Sequence, residues 1–215
     1  MRAGFTLQRA LALVLVSLLG AIAVVLIVGR RSGSSANRAG SSAGPAQASQ
    51  VDWTLPPGLR APDFSLTDQG GRRVTLSAYR GRVVVLTFIH SLCHDACPFM
   101  VEQIKGALGG LGDLGRSVPA IGVSVAPAED TRANRRRFLA RHQMTGRMAF
   151  VSGPVRVLRG VWRHYAIQPV QGPVDHSTFV LLIDKRGIER VGIPADQLTP
   201  EGLAHDIGVL DRERA

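Results

Sequence analysis

The chain has 215 residues, 26 Lys+Arg against 16 Asp+Glu for a formal charge of +10, and 45% hydrophobic residues. That apolar content excludes general disorder, and two cysteines, Cys93 and Cys97, are too few for a disulfide-stapled miniprotein or a four-cysteine zinc or iron–sulfur module. The basic excess does not point to nucleic acid: residues 58–215 carry a net of only +6, and the densest basic cluster, Arg132, Arg135, Arg136, Arg137 and Arg141, holds a single aromatic residue, Phe138, rather than the interleaved aromatics that would stack on bases. On a helix those arginines are expected to spread over a solvent-facing surface.

In chain order, residues 1–9 form a short basic segment ahead of 19 uncharged residues, Ala10 to Val28, rich in Leu, Val, Ile and Ala. A helix of this length approaches the roughly 30 Å of a bilayer's hydrocarbon core. It exceeds the apolar stretch of a cleaved signal peptide, so 10–28 reads as an uncleaved transmembrane anchor. Arginines flank it on both sides, and charge alone does not orient it. Residues 29–57 are rich in Gly, Ser and Ala and read as a flexible linker, spanning on the order of 30 Å. Residues 58–215 then suit one α/β domain.

Within that domain, short strands are expected near Asp63–Leu66 and Arg73–Leu76, joined by a turn at Gly70-Gly71. Arg82–Ile89 is a continuous β-branched run, the mark of a central strand buried on both faces. A helix should open at Pro98, leaving Cys97 as its N-cap, and run toward Leu111. Val118–Val125 reads as a second buried strand, Thr131–Gln143 as a polar-rich helix, Met148–Val151 as a brief strand and Val155–Tyr165 as a helix. Thr178–Asp184 and Ile188–Ile193 form a hairpin turning at Lys185-Arg186-Gly187. Pro200–Val209 is a final helix with Thr199 as N-cap. This order describes a thioredoxin-like α/β sandwich.

The chemistry concentrates between the central strand and the next helix, in His90-Ser91-Leu92-Cys93-His94-Asp95-Ala96-Cys97-Pro98. Open α/β sheets place ligands at the carboxyl ends of their strands, and a helix N-terminus favours a thiolate. The plain alternatives are a stabilising disulfide or two buried thiols. Three residues separate the cysteines, which relaxes the tight dithiol of a two-residue spacing and suits two thiolates closing on one soft ion, Cu(I) or zinc. Among six histidines, His142, His164 and His205 fall in or beside expected helices. His176 instead stands in Val174-Asp175-His176-Ser177, just before the strand that enters over the cysteine site, and would complete an S₂N set with Cys93 and Cys97. Structural zinc would want a fourth protein ligand. His90 and His94, beside the pair, are candidates to assist metal entry.

With these residues the chain resembles the Sco/SenC family of copper chaperones. The resemblance rests on Cys93–Pro98 and Val174–Ser177, supported by Ala61–Leu66 and by Val123–Pro127 ahead of Asp130-Thr131. It covers about Gly58 to Val209. Two positions depart from the family pattern: His94 stands where proline is common, and Ala126 where an acidic residue is frequent. The resemblance implies copper bound by Cys93, Cys97 and His176, as Cu(I) or Cu(II), and a role in assembling the binuclear copper site of cytochrome c oxidase. It implies a single-pass protein of a bacterial cytoplasmic membrane with its domain on the outer, periplasmic face. A thiol reductant must keep the cysteines open there. The rival is a membrane-anchored thiol–disulfide oxidoreductase with no metal, in which Cys93 and Cys97 are the redox-active pair. A thiol peroxidase is a more distant third, because no activating setting is evident around either cysteine.

Overall fold

The computed structural model describes residues 58–167 and 179–214. The expected anchor at 10–28 and linker at 29–57 lie outside the described residues, among which no helix is long and apolar enough to cross a membrane. All described residues belong to one compact unit, Ser49–Ala215.

The unit is built on a five-stranded sheet. In chain order the strands are β1 (Ser65–Thr67), β2 (Arg73–Thr75), β3 (Val84–Ile89), β4 (Ala120–Ser124), β5 (Met148–Val151), β6 (Phe179–Ile183) and β7 (Glu189–Pro194). The helices are α1 (Ala96–Gly110), α2 (Asp113–Ser117), α3 (Arg132–Arg141), α4 (Val155–His164) and α5 (Pro200–Arg212). Strand order in the main sheet is β5-β4-β3-β6-β7, while β1 and β2 pair separately as an antiparallel hairpin. β3, β4 and β5 run parallel, and β6 and β7 run antiparallel to their neighbours.

The β-branched run forms the central strand because both of its faces are covered: every residue of β3 is buried. Alternation along β3 divides the core in two. Val84, Leu86 and Phe88 face a layer that includes Leu158, Val161 and Trp162 of α4 and Phe64, Leu66 and Leu76 from the hairpin segment. Val85 and Ile89 face the opposite layer, with Met100, Val101 and Ile104 of α1, Phe138 and Leu139 of α3 and Leu203 and Ile207 of α5. Gly122 of β4 is required by packing, since a Cβ there would lie 2.4 Å from Ile89 Cδ1.

The ends of the elements follow local chemistry. Thr199 Oγ1 accepts the Gly202 N–H at 3.1 Å and caps α5, a contact worth about 1 kcal/mol. Thr131 Oγ1 caps α3 in the same way through the Asn134 N–H. The β6–β7 turn is held by Asp184, whose Oδ1 accepts from the Arg186 and Ile188 N–H groups, and Gly187 takes the positive φ of 77° that closes it.

Two expectations need correction. α1 begins at Ala96 with Asp95 as its N-cap, so Cys97 is the second helical residue rather than the cap. The first-turn N–H groups of a helix have no intrahelical partner, so proline is tolerated there beyond the first position. The second concerns Arg135, which does not face solvent with the other arginines of α3. It is 6% exposed and donates to the carbonyls of Asp130, Thr67 and Phe150, tying α3 to the hairpin and to β5.

Candidate metal centre

β3 ends at Ile89, and the chain then turns through residues 90–95 into α1. The turn is fixed by backbone contacts: Cys93 N–H donates to the His90 carbonyl, and Phe99 N–H to the Asp95 carbonyl. It carries both sulfurs to one place. Cys93 Sγ accepts the Cys97 N–H at 3.4 Å, and Cys97 Sγ accepts the His90 N–H at 3.5 Å. No disulfide joins the two cysteines.

Their environments differ. Cys97 has no exposed surface and belongs to the core layer under α1, whereas Cys93 is half-buried at its edge. The hydrogen bond with the Cys93 side chain, followed by burial, pushes the Cys97 thiol well above the ordinary cysteine range, and the His90 N–H opposes this only in part. The N-terminal position therefore does not make Cys97 the ready thiolate expected from the sequence. Cys93 is the sulfur that meets solvent, and its chain neighbour Leu92 is exposed as well.

A buried carboxylate holds this turn from below. Asp130, 2% exposed, accepts the Ser91 N–H at Oδ1 (2.7 Å) and the Ser124 hydroxyl at Oδ2 (2.5 Å), with the Ala126 N–H at 3.4 Å. It thereby joins the cysteine turn to the end of β4. Glu129 reaches the same turn from outside, its Oε2 lying 2.8 Å from His90 Nε2. Neither carboxylate was singled out from the sequence for such a role. The only signal was the placement of Asp130-Thr131 among the segments supporting the resemblance.

Of the remaining candidates, His94 is exposed on the turn. His142 pairs with Glu102 and His164 with the buried Glu189, and His205 is exposed on α5. His176 lies outside the described residues. Among the described residues no group of three His, Cys, Asp or Glu side chains is placed to hold a metal ion. The structure thus brings together the two sulfurs, with His90 beside them.

A parallel-centred sheet with a cysteine pair where its middle strand meets a helix N-terminus defines a thioredoxin-like thiol or metal-handling domain. The SCO1/SenC family model matches residues 55–210, and the chain belongs to that family. It is 26% identical to the Bradyrhizobium japonicum ScoI whose structure was solved with copper bound, at a TM-score of 0.61, with 70% of this chain and 99% of that one covered. It is 25% identical to the Schizosaccharomyces pombe protein sco1 over 67% of this chain and 58% of that protein. A putative peroxiredoxin of Mycobacterium tuberculosis is 29% identical over 59% of this chain and 78% of its own length. The chain spans about half the length of the curated Sco relatives it matches.

Proposed function

We propose that this chain is a copper carrier, binding one copper ion through Cys93, Cys97 and His176 and passing it to an acceptor protein. The observation that carries this reading is the cysteine pair itself. Cys93 Sγ sits 3.4 Å from the Cys97 N–H at the carboxyl end of β3, in a chain of the SCO1/SenC family. Two sulfur donors select a soft ion, and copper is bound in the related ScoI.

Copper is cargo here rather than a resident cofactor. The half-buried Cys93 is the sulfur an incoming ion meets first, and Cys97, held as a thiol, must give up its proton for the second bond. A three-ligand site leaves room for a thiolate or imidazole of the acceptor, so release proceeds by ligand exchange. A disulfide oxidant that takes two electrons and two protons from the pair, itself reduced to a dithiol, joins Cys93 to Cys97 and takes away both sulfur donors. A thiol reductant then restores them. The acceptor in this reading is the copper-site subunit of cytochrome c oxidase, reached by a domain tethered through residues 10–28 and 29–57 on the outer face of a bacterial cytoplasmic membrane.

Copper titration of the reduced full-length protein in nonionic detergent, against a Cu(I) chelator of known affinity, tests the proposal. One equivalent bound in the wild type, with at least a tenfold loss in Cys93→Ser and His176→Ala, is the expected result. The likeness to the putative peroxiredoxin bears on the thiol peroxidase reading; the rival kept from the sequence is the metal-free thiol–disulfide oxidoreductase. It requires turnover of a disulfide substrate that survives His176→Ala.

A further inference from the structure

Helix α4 carries a feature that copper binding does not use. Arg156, Arg159 and Arg163 line a cleft of about 500 Å³ together with Trp162 and Ile167. The helix sequence, Val155–His164, holds no acidic residue. Among the described residues none of the three guanidinium groups has a carboxylate within ion-pair reach. Arg163 is braced by its own helix, Nε donating to the Arg159 carbonyl at 3.3 Å. Gly160 lies between these arginines on the same face of the helix, exposed, and a Cβ there would meet nothing within 4 Å. Beside the cleft, Gly160 thus leaves the helix backbone open to a second chain, next to three guanidinium groups that have no ion pair among the described residues.

The cleft is fastened to the cysteine site. Trp162 Nε1 donates to the Ser124 carbonyl at 3.0 Å. Ser124 pairs in register with Ile89, from which the cysteine turn departs, and its hydroxyl meets the Asp130 carboxylate that holds Ser91. A ligand seated against Trp162 thus sits at the end of the sheet from which Cys93 and Cys97 project.

We propose that this cleft docks an extended acidic polypeptide segment of the protein that exchanges copper with this chain, alternate carboxylates pairing with Arg156, Arg159 and Arg163. That the segment belongs to a copper partner rests on the function proposed above; the recognition chemistry does not. The arginines stand about 4.5 and 6 Å apart along the helix axis. Alternate side chains of an extended strand lie about 6.6 Å apart on one face, within reach of flexible arginine side chains. The guanidinium fork matches a carboxylate with two parallel hydrogen bonds. A bilayer surface fits less well, because an interfacial helix lays its apolar face among the lipids, whereas Leu158, Val161 and Trp162 of α4 are buried in the core.

The test uses full-length protein in nonionic detergent and a fluorescein-labelled acetyl-(Asp-Ser)₄ peptide, read by anisotropy. The same-charge block peptide acetyl-Asp₄-Ser₄, short-chain phosphatidylglycerol and inorganic phosphate are titrated as competitors. The alternating peptide is expected to bind more tightly than the block peptide and to weaken at least about fivefold between 50 and 200 mM salt. Arg159→Glu/Arg163→Glu should weaken it at least about tenfold by reversing two charges. Gly160→Leu, which raises helix propensity and so should fold well, should block docking while copper stoichiometry stays at the wild-type value. Peptide binding unchanged in both variants, or displacement by phosphate or phosphatidylglycerol at lower concentration than by unlabelled peptide, would overturn the proposal. Failure of the wild type to bind copper while it still binds the peptide would instead remove the copper reading and leave the cleft assignment standing.

Discussion

The Asp130 carboxylate lies 2.7 Å from the backbone N–H of Ser91, and with the Glu129 contact to His90 it ties the loop after β4 to the turn that presents Cys93 and Cys97. Its other oxygen is taken by the Ser124 hydroxyl, so neither side of the carboxylate is spare. Asp130→Asn keeps the size but replaces one acceptor with a donor: turned toward Ser124, whose hydroxyl can accept it, the amide still leaves the Ala126 N–H without its acceptor, and turned the other way it opposes the Ser91 N–H. Leaving a buried polar group unsatisfied costs about 1–3 kcal/mol. The variant should unfold at lower urea than wild type and bind copper more weakly, with both cysteines still alkylated on unfolding. A copper affinity equal to wild type would show that the turn holds its shape without Asp130.

Arg135 offers a test of the fold that is independent of metal. Its three carbonyl partners come from Asp130, Thr67 and Phe150, and all of them lose a donor in Arg135→Ala. A loss of about 3 kcal/mol in urea unfolding is expected, against about 0.5 kcal/mol or less for the exposed neighbour Arg136→Ala. Equal effects of the two substitutions would contradict the inward placement of Arg135.

Gly122 and Ile89 form a tight pair across β4 and β3. Gly122→Ala should destabilise by about 1–3 kcal/mol through overpacking, and the double variant with Ile89→Ala should lose less than the two single losses together, because the clashing Cδ1 is gone. Thermal denaturation of the two single variants and the double variant measures the coupling. Additive losses would mean the two side chains do not meet.

Stability should fall in acid. Burial alone would raise the Asp68 and Asp184 carboxyls, yet the donors around them hold both below the usual range: backbone and side chain of Arg72 and the Gly70 N–H for Asp68, and the Ile188 and Arg186 N–H groups with Arg190 for Asp184. A carboxyl depressed in the folded state contributes stability above its unfolded value, near 3.9, and loses that contribution as pH drops through the folded value. The urea midpoint should therefore be nearly flat from pH 7 to 5 and decline below about pH 4. The decline should be shallower in Asp68→Asn and Asp184→Asn. An unchanged slope in both would contradict the assignment.

The parts of the molecule that follow from local pattern were legible in the sequence. The run Val83-Val84-Val85-Leu86 can only be a doubly covered strand, and Thr199-Pro200 announces the start of α5. The cysteine pair was legible for the same reason, since both its members lie within one turn. What stayed hidden depends on partners distant along the chain. Arg135 looks like one more surface arginine until Thr67, 68 residues away, supplies a carbonyl. Asp130 has no role in the sequence beyond the resemblance it supports, until Ser91, 39 residues earlier, turns its N–H toward it. The helix start is not marked by Pro98, because Ala96 and Cys97 precede it in α1.

The central claim is that two sulfurs and one imidazole share a single copper ion. X-ray absorption at the copper edge of the Cu(I)-loaded, reduced full-length protein tests it most directly. The account predicts two sulfur scatterers and one imidazole nitrogen, the nitrogen vanishing in His176→Ala and one sulfur vanishing in Cys93→Ser. A spectrum of two sulfurs alone, identical in wild type and His176→Ala, would contradict it.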